Sequence, residues 1–140
     1  MKEYQKELDG KLTLISAGKD KFKHSTTVYW GGLMAAISLD FLIRDETNGK
    51  KRLDDLWVYL LKNYPKNGEA LTLTKIYNAA SKLYGKKISD ALVHYTSSPN
   101  EIPFFKNAQL MGLSYKDGKI ILSKNATEKQ KKLWYDYLYK

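Results

Sequence analysis

Residues 29–44, YWGGLMAAISLDFLIR, constrain the fold of this chain more than any other stretch. Leu33, Ala36, Ile37, Phe41 and Leu42 follow the three-and-four spacing of a buried helical face, which predicts a helix from about Tyr29 to Arg44. Ser38 and Asp40 interrupt its apolar run, so it cannot span a bilayer. Gly31, Gly32, Ala35 and Ala36 line its first half, where another backbone can approach closely. Two glycines at a helix entrance cost propensity and imply tight packing or a required bend.

The rest of the chain is punctuated in the same language. Asn48-Gly49 supplies a left-handed turn after the first helix. A second helix is predicted over Leu53 to Tyr64, stopped by Pro65 and Gly68, and a third over Thr74 to Tyr84, capped by Thr72 or Thr74 and ended by Gly85. Ser89 to Tyr95 reads as a short fourth helix with Ser89 at its N-cap. The stretch PFFKNAQLMGL gives a fifth, ending at Gly112. LSYKDGKIILS reads as a hairpin around Lys116-Asp117-Gly118. Asn125 and Glu128 resemble a capping box opening a terminal helix that carries Leu133, Trp134, Tyr137 and Leu138. Ahead of all this, Leu12, Leu14 and Ile15 suggest a short extended piece bracketed by Gly10 and Gly18. The expected architecture is mainly α, a compact bundle of five to six helices with a small β-hairpin near the C-terminus. It forms one domain over 1–140: a leading arm at 1–23, a helical core at 24–113, and the hairpin with the terminal helix at 114–140.

A length of 140 residues is enough for one real core. The first residues, MKEYQKELDGK, are charged and lack an apolar signal-peptide core. No membrane partner is expected. The net charge of +9 raises a nucleic-acid role, but the lysines are spread along the whole chain and no RNA-binding, zinc-finger or helix-turn-helix pattern accompanies them. A solvated basic surface is the better reading. Compartment and oligomeric state are not legible.

Few residues suggest chemistry. The chain has no cysteine and two histidines, His24 and His94, without a paired acidic ligand pattern; no metal ligands are assigned to it. His94 reads as a partly buried structural residue and His24 as an exposed loop residue. There is no nucleophile elbow or phosphate loop, and Asp54-Asp55 fit a helix N-terminus. From the residues alone, Tyr29 is an aromatic packing at a helix start.

The ordered combination of Tyr29, Gly32, Leu39-Asp40, Ile43-Arg44, Thr47, Gly49 and Leu53-Asp54-Asp55 resembles the segment after the zinc-binding helices of gluzincin zinc peptidases, the glycyl-aminopeptidase group in particular. KKISDALVHYTSSPNEIPFFKNAQLMGL, closing on Pro103 through Gly112 and Leu113, resembles a later stretch of the same family, so the likeness runs from about Thr26 to Tyr115. It implies that the chain is the C-terminal helical part of a zinc metallopeptidase. Tyr29 would be its one catalytic group, a neutral phenol donating to the oxyanion formed as a scissile carbonyl is attacked. It also implies partners: an upstream zinc-binding domain of the same protein, which holds the zinc, and a peptide substrate. Alone, the chain is expected to be inactive. Asp40 and Arg44 are expected to anchor helices through charge-assisted hydrogen bonds. Gly31 stands where the family has lysine, Trp30 where a polar residue is common, Arg52 where a serine caps the helix, and Ser97 where glycine is general. These departures motivate an alternative, a non-catalytic helical scaffold of degenerate peptidase ancestry.

Overall fold

The computed structural model describes residues 12–64, 70–99 and 102–139. The expected turn at Gly10 and helix stop at Pro65 and Gly68 lie outside the described residues, as do residues 1–11 of the leading arm. The described chain is mainly helical: α1 (Leu14–Lys19), a π-helical turn (Thr27–Gly31), α2 (Gly32–Glu46), α3 (Leu53–Asn63), α4 (Leu73–Tyr84), α5 (Lys86–Ser97), α6 (Phe104–Leu110), strands β1 (Leu113–Lys116) and β2 (Lys119–Leu122), and α7 (Glu128–Tyr139). Among these residues no helix is long and apolar enough to cross a membrane.

Helix α2 is the centre of the bundle. Along its second half Ser38, Leu39, Asp40, Phe41, Leu42, Ile43 and Arg44 are all buried, so neighbours surround it there rather than packing on one face. They are α5, α6 and α7, whose Ile88, Tyr95, Phe104, Ala108 and Leu133 complete the main apolar cluster. Leu33, expected on the buried face, is exposed, because the first turn of α2 packs on one side only, through Met34 and Ala35, and Leu33 lies off that side. A second cluster, Leu56 and Leu60 of α3 against Ala79 and Ala80 of α4, adjoins the first through Leu53, Tyr84 and Leu92.

The structure departs from the sequence reading at three helix starts. Leu14 and Ile15 are helical, not extended: Thr13 and Ser16 form a reciprocal capping box, with Ser16 N–H donating to Thr13 Oγ1 (3.0 Å) and Thr13 N–H to Ser16 Oγ (2.8 Å). That makes seven α-helices among the described residues where five to six were expected. Ser89 is not an N-cap. Helix α5 begins three residues earlier, directly after Gly85 (φ +89°), and the buried Ser89 hydroxyl donates to the Tyr77 carbonyl at 3.0 Å, tying α5 to α4. The terminal helix is opened by Thr127 and Gln130 rather than Asn125 and Glu128: Gln130 N–H donates to Thr127 Oγ1 (3.2 Å) and Thr127 N–H to Gln130 Oε1 (2.9 Å). Thr72, of the two candidates, caps α4.

The hairpin pairs Leu113 with Leu122 and Lys116 with Lys119, turning through Asp117 (φ +49°) and Gly118 (φ +79°), the two positive angles of a type I′ turn. Just before it, Gly112 has φ +73°, and a Cβ there would sit 2.8 Å from Ala126 Cβ. Glycine at that point lets the hairpin fold back against the start of α7.

Candidate functional site

Tyr29 sits on the π-helical turn that enters α2. A turn closed by bonds five residues apart is wider than an α-turn and is frequent at functional sites. Here Thr27 and Gly31, four apart, face inward and are buried. Tyr29 and Trp30 between them face out, with 73 % and 52 % of their surface exposed. The Gly32 N–H is shared between the Val28 and Tyr29 carbonyls where the wide turn tightens into α2. Below, α1 packs against both the π turn and α5, so the platform under Tyr29 is held from two sides. The Tyr29 hydroxyl bonds to none of the described residues. Leu33 and, in the preceding turn, Phe22 (88 % exposed) are further uncovered apolar side chains of this stretch.

The small residues of α2 do leave space beside them. An apolar cavity of about 230 Å³ is lined by Gly32, Ala35, Ala36 and Leu39 on one wall and by Trp57 and Tyr77 among those opposite. No helix of the described chain fills the room left by these missing side chains.

Asp40, Arg44, Thr47, Gly49, Leu53 and Asp55 gather into one joint between α2 and α3. Arg44 Nε donates to Asp40 Oδ2 at 2.7 Å, and Asp40 Oδ1 accepts the backbone N–H of Leu53 at 2.6 Å. Gly49 N–H donates to the Arg44 carbonyl (2.8 Å) and Asn48 N–H to that of Asp45 (3.3 Å), a Schellman closure of α2. The Thr47 hydroxyl donates to the Ile43 carbonyl at 2.8 Å and accepts the Lys51 N–H at 3.1 Å. Asp55 accepts the Arg52 N–H (2.9 Å), while the Asp55 N–H reaches the Arg52 carbonyl (3.1 Å). An arginine at the helix entrance is therefore tolerated: carboxylates from Asp40 and Asp55 do the capping that a serine does elsewhere. Tyr84 donates to the same Arg52 carbonyl at 2.7 Å, and burial together with the nearby Asp55 carboxylate pushes its phenol well above the usual value near 10. Burial also raises Tyr137, helped by Asp40 and opposed by Arg44.

The histidines stay apart and do not behave as expected. His94 is exposed, edge-on to Tyr95, and His24 is half-buried in the turn ahead of Tyr29, where its carbonyl accepts the Val28 N–H. Among the described residues no group of three His, Cys, Asp or Glu side chains could hold a metal ion. Gly31 is buried, and Ser97 ends α5 by donating to the Val93 carbonyl at 2.6 Å. One polar cluster escaped the sequence reading. Buried Asn107 on α6 donates to Ser38 Oγ (2.7 Å) on α2 and to Tyr95 Oη (2.6 Å) on α5. Its only signal was an asparagine amid the apolar residues of a short helix.

Comparison of the chain with protein-family models, with curated proteins and with solved structures gives no match in any of the three.

Proposed function

We propose that this chain is the C-terminal helical part of a zinc metallopeptidase of aminopeptidase type, and that Tyr29 is the group it contributes to catalysis. One observation carries the reading: an exposed phenol, unbonded among the described residues, stands on a π turn fixed by its buried neighbours Thr27 and Gly31. A tyrosine kept only for packing gains nothing from this placement. A preorganised neutral donor is what a developing oxyanion requires, and a phenol stays protonated at neutral pH.

The described residues do not fit a zinc site. In this reading the metal belongs to an upstream domain of the same protein, and this chain's own contribution is the phenol and the wall around it. Trp30 and Leu33, exposed beside Tyr29, supply apolar surface for that domain or for a bound peptide. Buried Gly31, in place of the family lysine, favours the second reading, a helical scaffold that has lost catalysis.

The test is hydrolysis of aminoacyl peptides by the full-length protein and by this chain alone. The proposal expects turnover from the former, abolished by a chelator, and none from the latter with added zinc. Chelator-sensitive turnover by the isolated chain contradicts it; an inactive full-length protein with zinc bound supports the scaffold.

A further inference from the structure

The apolar cavity beside α2 is held open by its frame. Gly32, Ala35 and Ala36 put little side-chain volume on one wall, and a Cβ on Gly32 would meet no atom within 4 Å. A void closes only as far as its walls can move, and here polar bonds pin them. Asp40 Oδ1 accepts the Leu53 N–H at 2.6 Å, which joins α3 to α2. Tyr84 of α4 donates to the Arg52 carbonyl at the start of α3, at 2.7 Å. The Tyr77 and Thr96 hydroxyls bond at 2.8 Å, and Ser89 donates to the Tyr77 carbonyl at 3.0 Å, which joins α4 to α5.

Leu39, Leu56 and Tyr95 make a buried floor, while Trp57 (51 % exposed) and Leu73 (44 % exposed) mark the open side between α3 and α4. Among the described residues that line the cavity none is charged. The three hydroxyls on the lining are engaged within the protein: Tyr77 with Thr96, Thr96 with the Leu92 carbonyl at 2.8 Å, and Tyr95 with Asn107 at 2.6 Å. An occupant is therefore offered apolar contact and no counter-charge.

We infer that this cavity binds a small uncharged apolar molecule, an aromatic ring or an alkyl chain of similar bulk. At about 230 Å³ it is larger than the ~150 Å³ apolar void that stays dry and takes up benzene. It is smaller than the roughly 300–1,000 Å³ of sites for drug-sized ligands. A partner helix, about 10–12 Å across with its side chains, is too wide to enter. A small ligand supplies Leu39, Leu56 and Trp57 with the dispersion contacts that an empty side forfeits. This inference does not rest on the reading of Tyr29.

The experiment titrates the chain with toluene and, separately, with 1-octanol, at fixed solvent composition. Methyl resonances of Leu53, Leu56, Ile76 and Leu92, all on the lining, are followed together with the melting temperature. The expected result is saturable shifts centred on these methyls and a rise in melting temperature. A stronger response to toluene assigns a ring, and a stronger response to 1-octanol assigns an alkyl chain; both support the inference. Ala36→Leu and Gly32→Leu, which put a side chain into the space, should each weaken binding roughly tenfold or more without lowering the melting temperature. Either variant is sufficient if the other does not fold. No saturable shift with either probe, or shifts unchanged in the folded variants, overturns the inference. So do contacts in the free chain between these methyls and residues 1–11, which would mean that the space is already filled.

Discussion

The Asp40 carboxylate accepts the Leu53 backbone N–H at 2.6 Å, so a residue buried in the middle of α2 caps the first turn of α3. Its other oxygen holds Arg44, itself buried, so one carboxylate fixes both the angle between two helices and the position of a guanidinium. Removing it leaves an unpaired buried cation, which is far costlier than losing a surface ion pair. Asp40→Ala should destabilise the chain by about 3–5 kcal/mol in denaturant unfolding. Asp40→Asn, which keeps an acceptor for Leu53 N–H, should cost clearly less. Equal losses for the two variants would mean that the cap contributes nothing.

The interior triad makes a separate prediction. Asn107 joins α6 to Ser38 of α2 and Tyr95 of α5. Asn107→Leu strands two buried hydroxyls and should cost about 1–3 kcal/mol of stability. Adding Tyr95→Phe to that variant should cost less than Tyr95→Phe does alone, because the partner is already gone. Additive losses in a double-mutant cycle would show that the bond is not coupled.

Tyr84 sets an alkaline limit. Its phenol is raised above the usual value near 10, so the folded state holds this proton more tightly than the unfolded chain does. Its contribution is fully present below that value and is lost as pH rises past it, where the unfolded chain ionises first. Unfolding followed above pH 10 should therefore show stability falling less steeply in Tyr84→Phe than in the parent. At neutral pH the same variant should lose about 0.5–1.5 kcal/mol, the bond to the Arg52 carbonyl. Parallel alkaline slopes would contradict this assignment.

Much of the fold was legible because local signals and packing agree. Apolar spacing located α2, α3 and α4, and Asp117-Gly118 located the hairpin turn. Where several residues competed for a cap, sequence could not choose: Thr127 outcompeted Asn125, and Ser89 turned inward to bond Tyr77. Leu14 and Ile15 look extended in isolation, and a capping box of two small hydroxyl residues makes them helical. Leu33 fits the periodic face of α2 but lies where no described neighbour covers it. As for the site, Asp40 and Arg44 were expected to anchor helices through charge-assisted hydrogen bonds, and the structure adds that they bond to each other and that Asp40 reaches Leu53. The wide turn that presents Tyr29 was hinted at only by the paired glycines behind it. The buried Asn107 bonds depend on contacts between distant segments, which no local pattern encodes.

The measurement that bears most directly on the account is steady-state peptidase kinetics of the full-length protein with the single change Tyr29→Phe. The side chain is exposed and its hydroxyl unbonded among the described residues, so melting temperature and KM should hold. The turnover number should fall by a factor on the order of 10²–10³, the usual effect of deleting one oxyanion donor. An unchanged turnover number at unchanged stability would show that the Tyr29 hydroxyl takes no part in the chemistry.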